Sequence, residues 1–156
     1  MEVSGASNLR GVTDAPVIRI VAAVILNPMG HMLLVRKRGT TAYMQPGGKF
    51  EDGETGHDAV IRELQEELGF ELVENDLEYV GRYHAKAANE VGHLVDSDVF
   101  FTVVETDGVV AAEIEELLWI DPRELHTIED LAPLTGDVLR QYILTMSAAI
   151  QGRREL

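Results

Sequence analysis

The chain has 156 residues, with 13 lysines and arginines against 27 aspartates and glutamates, for a formal charge of −14 with its five histidines neutral. A chain of this length folds as one domain that buries about 70% of the surface it exposes when unfolded, and having no cysteine it can be neither a disulfide scaffold nor a cysteine-ligated zinc or thiol protein. Its longest apolar runs fall short of the ~20 residues that cross a bilayer, and its acidity opposes attraction to DNA or anionic lipid while suiting a protein that recruits a divalent cation.

Met1 to Ala15 is polar and rich in Gly, Ser, Asn and Thr, which predicts a flexible extension over 1–16 and a single domain over 17–156. The extension lacks the basic start and apolar core of a leader, so the protein is expected in the cytoplasm. Val17 to Leu26 and His31 to Lys37 are aliphatic runs separated by Asn27-Pro28-Met29-Gly30, the composition of a hairpin turn. Thr55 to Leu68 contains no proline, repeats apolar residues at Val60, Ile61, Leu64 and Leu68, and ends at Gly69, which predicts a helix. Leu77 to Ala85, Asp98 to Val104 and Ile114 to Ile120 read as strands, and a mixed sheet is the simplest way to hold them. Asp121-Pro122 predicts a short helix, and Thr135-Gly136-Asp137 a last one with Val138, Leu139, Tyr142, Ile143 and Met146 in one stripe.

The helix over 55–68 carries the chemistry. At about 100° per residue, Glu63, Glu66 and Glu67 share one arc of the surface, beside but apart from the apolar arc of Val60, Ile61, Leu64 and Leu68. Three like charges there repel by a few tenths of a kcal/mol per pair, so a cation should offset them. Mg2+ is held by one or two carboxylates together with phosphate oxygens and water, and this cluster meets that demand. Arg62 can neutralise and orient the carboxylates. The loop before the helix holds Gly47 and Gly48, where missing side chains let backbone approach a metal or phosphate and a carbonyl serve as a further ligand.

Gly48, five residues, Glu54, seven residues, Arg62-Glu63, an aliphatic residue, any residue, Glu66-Glu67, any residue, Gly69 and an apolar residue resembles the Nudix box at every specified position. Seven fixed positions would match by chance in such a chain with odds on the order of one in a million. Pro46-Gly47-Gly48, the opening strand pair and the strand into Asp121-Pro122 are also similar to MutT-like members. The resemblance implies an α/β fold, an α/β/α sandwich around a mixed sheet. It implies that Glu66, Glu67 and the Gly48 carbonyl hold the metal, that Glu63 is a ligand or the general base, that Arg62 orients it, and that Glu54 supports the loop or a second ion. It also implies cleavage of a phosphoanhydride in a nucleoside diphosphate linked to another group, with Mg2+, or Mn2+ in its place.

Some members of the family take their base from outside the box, and Glu113, Glu115 and Glu116 are the candidates here. Lys49, Arg36 and Arg38 are candidate phosphate contacts, although alternation forbids Arg36, Lys37 and Arg38 from all facing one site. Asp137 is placed to read a base edge or simply to head the last helix. The reading that follows is a nucleoside triphosphate pyrophosphohydrolase, monomeric or homodimeric, that binds neither DNA nor membrane. The alternatives are an ADP-ribose or nucleotide-sugar pyrophosphatase and a non-catalytic nucleotide sensor.

Overall fold

The computed structural model describes residues 15–111 and 113–155. Most of the expected N-terminal extension, residues 1–14, lies outside them. The first strand, β1 (Val17–Leu26), is buried on both faces along its last six residues, which is why its sequence is a continuous apolar run without polar alternation. Val21, Ala23 and Ile25 pack with Leu33 and Val35 of β2 (Met32–Lys37) against Ala59, Val60, Leu64 and Leu68 of α1 (Gly56–Leu68). Ala22, Val24 and Leu26 pack with Met32 and Leu34 on the other face, against Leu125, Leu134 and the Leu139, Ile143 and Ile150 stripe that runs into α2 (Arg140–Glu155). One helix thus covers each face of the sheet, and the α/β/α sandwich is the observed architecture.

The remaining strands are β3 (Tyr43–Met44), β4 (Gly47–Lys49), β5 (Glu78–Lys86), β6 (Leu94–Val103) and β7 (Ile114–Ile120), giving a seven-stranded mixed sheet. β1 runs parallel to β6 from Val17↔Leu94 to Leu26↔Val103, and β5 lies antiparallel beyond β6. β1 meets β2 at Leu26↔Met32, beside the hairpin, and the two strands then part. β1 takes up β4 at Ile20 to Ala22, while β2 takes up β3 on the same side and β7 along its other edge. This divergence opens the sheet between the start of β1 and the end of β2.

Local chemistry sets the boundaries. Asn27 Oδ1 accepts from the Met29 and His31 amides and closes the β1–β2 turn, with Gly30 at φ +83°. Thr55 caps α1 and exchanges bonds with Asp58 in a capping box, while Gly69 ends the helix at φ +73°. β6 begins at Leu94, four residues before the Asp98 that the sequence pattern suggests. Its early residues include Asp96, Ser97 and Asp98, unusual inside a strand, and Asp96 and Asp98 are held there by arginines. Arg82 of β5 grips Asp96 through two hydrogen bonds, and Arg19 of β1 donates to Asp98 and to the Asp96 carbonyl. The segment after Asp121 is a 3-10 turn over Pro122–Thr127, and a wide π-type turn over Leu134–Val138 precedes α2.

Gly47 has φ +155°, and a Cβ there would stand 2.1 Å from the Val21 carbonyl oxygen, against backbone that cannot yield. Gly47→Ala is therefore expected to destabilise the fold by about 1–3 kcal/mol, read as a lower urea midpoint with an unchanged slope.

Candidate active site

A cavity of about 540 Å3 occupies the opening between β1 and β2. Glu63 and Glu67 of α1, the glycines Gly47 and Gly48, and Lys49 line one part of it, and Lys37, Arg38, Lys86 and Glu113 contribute charge from the surrounding strands and loops. Arg62 organises the wall on which the carboxylates stand. Its Nε and Nη2 donate to the two Glu54 oxygens at 2.6 and 2.8 Å, Nη1 donates to Glu63 Oε2 at 2.9 Å, and Nη2 also donates to the Lys49 carbonyl at 3.0 Å. Arg62, with support from the Glu51 amide, pulls the Glu54 carboxyl down to about 2, and the guanidinium itself is held further into its charged form. Glu54 is thus bonded to both the Glu51 amide and Arg62, and Glu63 is held toward Gly48. A Cβ on Gly48 would lie 2.5 Å from the Glu63 carboxylate, so the missing side chain is what gives that carboxylate its place.

Glu67 is buried, 3% exposed, and its carboxylate accepts one long bond, 3.4 Å, from the Gly47 amide. Burial, and then the charge of Glu63, push its carboxyl up to about 8, with Lys37 opposing. A buried acid beside a second acid, in a cavity lined with backbone and oxygen donors, fits a hard divalent cation, which would relieve both the desolvation and the repulsion. Glu66 is placed differently. It does not line the cavity, its side chain is half exposed, and it stands 3.5 Å from Arg62. Among the described residues, no three His, Asp or Glu side chains converge as a ready-made ligand set.

The other predicted residues divide. Lys49 and Arg38 line the cavity, Arg38 while pairing with Glu115 at 2.8 Å. Arg36 does not line it: its guanidinium binds Glu116 and the Thr40 carbonyl, and Tyr43 donates to the same Glu116 oxygen at 2.6 Å. These bonds hold the Glu116 carboxyl below its ordinary range. Glu113 lines the cavity, 3.9 Å from Lys37. Asp137 is exposed and outside the cavity.

Sequence reasoning passed over Gln45, Lys86 and Thr135 as site residues and weighed Lys37 only beside Arg36 and Arg38; all four line the cavity. A register shift between Arg36 and Lys37 breaks the strand's alternation and lets Lys37 and Arg38 both reach it. Gln45 and Thr135 are buried and bonded to each other, and Gln45 Nε2 has no partner among the described residues, an arrangement that costs about 1–3 kcal/mol when nothing binds.

The family model of the NUDIX domain matches residues 16–142. The chain is 32% identical over 123 residues to an uncharacterised Nudix hydrolase, YvcI, of Bacillus subtilis (strain 168), covering 76% of this chain and 75% of that protein. It is 31% identical over 136 residues to a CTP pyrophosphohydrolase of Escherichia coli (strain K12), covering 84% and 95%. Among solved structures, a MutT protein from Methanosarcina mazei Go1 superposes with a TM-score of 0.64 at 23% identity, covering 92% of this chain and 99% of its own.

Glu67 gives the site a pH signature. Its carboxyl loses a proton near 4.5 when unfolded and near 8 when folded, so ionisation costs the folded state. The stability linked to it is complete below about 4.5 and is lost as pH rises through about 8. In chelator, the melting temperature is expected to decline across that window, and Glu67→Gln should flatten the decline.

Proposed function

The chain belongs to the Nudix hydrolase family and is a pyrophosphohydrolase, and from that premise we propose that it converts nucleoside triphosphates to the monophosphate and pyrophosphate with Mg2+ as its cation. The observation that carries this reading is the shared cavity, which Glu63 and Glu67 line together with Lys37, Lys49 and Lys86. Carboxylates suit the cation and amines suit a phosphate chain, and the two are needed side by side when a phosphoanhydride is cleaved.

Glu67 and the Gly48 carbonyl would hold the ion, with Glu66 completing the set on turning inward from Arg62. The bound ion supplies Lewis-acid neutralisation of the phosphate oxygens. Glu63 takes the proton of the attacking water. Arg62 fixes the orientation of that carboxylate, since Nη1 is bonded to Oε2 and leaves Oε1 for the proton. Lys49 and Lys37 steady the phosphate chain, while Glu54 keeps the loop in place through Arg62. Of the bases outside the box, Glu113 shares the cavity, whereas Glu116 is committed to Tyr43 and Arg36.

Glu63→Gln is expected to lower kcat by about 10²–10⁴-fold with an unchanged melting temperature. Activity should vanish in excess chelator and return with Mg2+. Triphosphates, ADP-ribose and nucleotide sugars compared side by side, with products resolved by phosphorus NMR, test the substrate. Full turnover in chelator, or preferred cleavage of ADP-ribose, would overturn the reading.

A further inference from the structure

Away from the charged groups, the cavity is walled by Ile18, Ile20 and Ala22 of β1 and by Leu134. Two buried polar side chains interrupt this apolar surface, Thr135 at 0% and Gln45 at 5% exposure. Thr135 Oγ1 donates to Gln45 Oε1 at 2.5 Å, and the amide Nε2 has no acceptor among the described residues. Gln45 lies three residues before Gly48, at most about 10 Å of extended chain, a span comparable to a nucleoside reaching from its phosphate to the edge of its base. We propose that the Gln45 amide reads the base of the bound nucleotide and selects keto bases over amino bases, a step that rests on the nucleotide reading of this site.

The chemistry follows from the unpaired donor. With Oε1 satisfied by Thr135, what the amide can offer is N–H. Nε2 is closed off from water in this conformation, but Gln45 lines the cavity and its terminal torsion is broad, so a rotation small enough to keep Oε1 on Thr135 brings the N–H to a base edge seated there. A flat base slides between apolar walls, and its edge meets that group. Guanine O6 and uracil O4 are acceptors and complete the bond, whereas adenine N6 and cytosine N4 are donors. Donor against donor leaves two buried polar groups unpaired, the situation in which a binding site rejects a near-isosteric ligand most strongly.

The test compares pairs that differ at that group: inosine with adenosine monophosphate, and uridine with cytidine monophosphate. Binding is measured by calorimetry on the full chain, on Gln45→Leu and on Gln45→Glu. The wild type is expected to bind the keto member of each pair about tenfold more tightly, or about 1.4 kcal/mol. Gln45→Leu should bring both ratios within about twofold, and Gln45→Glu, an acceptor, should reverse them. Gln45→Met replaces Leu if that variant does not fold. Wild-type ratios near one would overturn the proposal. So would keto selection unchanged in a folded Gln45→Leu protein of raised melting temperature, since the amide would then be a burden on the fold and nothing more. Triphosphate turnover assayed on the same samples separates the two readings. Keto selection without cleavage defeats the hydrolase substrate reading alone, and cleavage without keto selection defeats this one alone.

Discussion

The Arg62 guanidinium fixes the geometry on which everything at the site depends. It joins the loop from Lys49 to Glu54 to the exposed side of α1 through four hydrogen bonds made by one side chain, three to the loop and one to Glu63. Because the cation is four-fifths shielded and its fork meets the Glu54 carboxylate with two parallel bonds, this pairing is stronger than an ordinary surface bridge. A lysine would supply the charge without the fork. Once the loop is pinned, Gly47 lies against β1, Gly48 against Glu63, and the strand pair stays open at the cavity.

Charge is settled almost everywhere else. Asp96 and Asp98 are gripped by Arg82 and Arg19, Asp121 by Arg123, and Glu116 by Arg36 and Tyr43, and the carboxyls of Asp96, Asp121 and Glu116 are held below their ordinary pKa. Glu67 is the contrast: it is buried next to another acid and pushed the opposite way. A fold that satisfies its carboxylates with care elsewhere and leaves one unsatisfied in a cavity has placed its electrostatic strain where a ligand can relieve it.

The sequence was readable where one element dictates the geometry. Glu63 and Glu67 meet because they are one helical turn apart, and Arg62 reaches Glu54 because the intervening loop is short. Legibility failed where distant segments decide. Nothing near Asp96 announces a strand, since the partners that allow one are Arg19 and Arg82 on neighbouring strands. Gln45 and Thr135 are 90 residues apart and acquire meaning through their contact. Arg36 resembled a phosphate ligand until Tyr43 and Glu116 were seen to occupy it, and the bulge that brings Lys37 to the cavity follows from pairing with β7. Helical spacing placed Glu66 on the correct arc but could not show that Arg62 draws it outward.

The long parallel register of β1 with β6 has a consequence for how the molecule is made. Val17 pairs with Leu94 and Leu26 with Val103, so the most apolar strand of the sheet gains its full-length neighbour 77 residues further along the chain. β2 likewise gains β7 from a similar distance, with Leu33 opposite Trp119. Such pairings must close long loops before they return any stabilisation, which slows folding. During that interval VIRIVAAVIL has an open edge and one arginine to discourage pairing with another copy of itself. Arg19, described above as the partner of Asp98 in the finished sheet, is therefore also the gatekeeper of the unfinished one, and the yield of native protein at high concentration should depend on it.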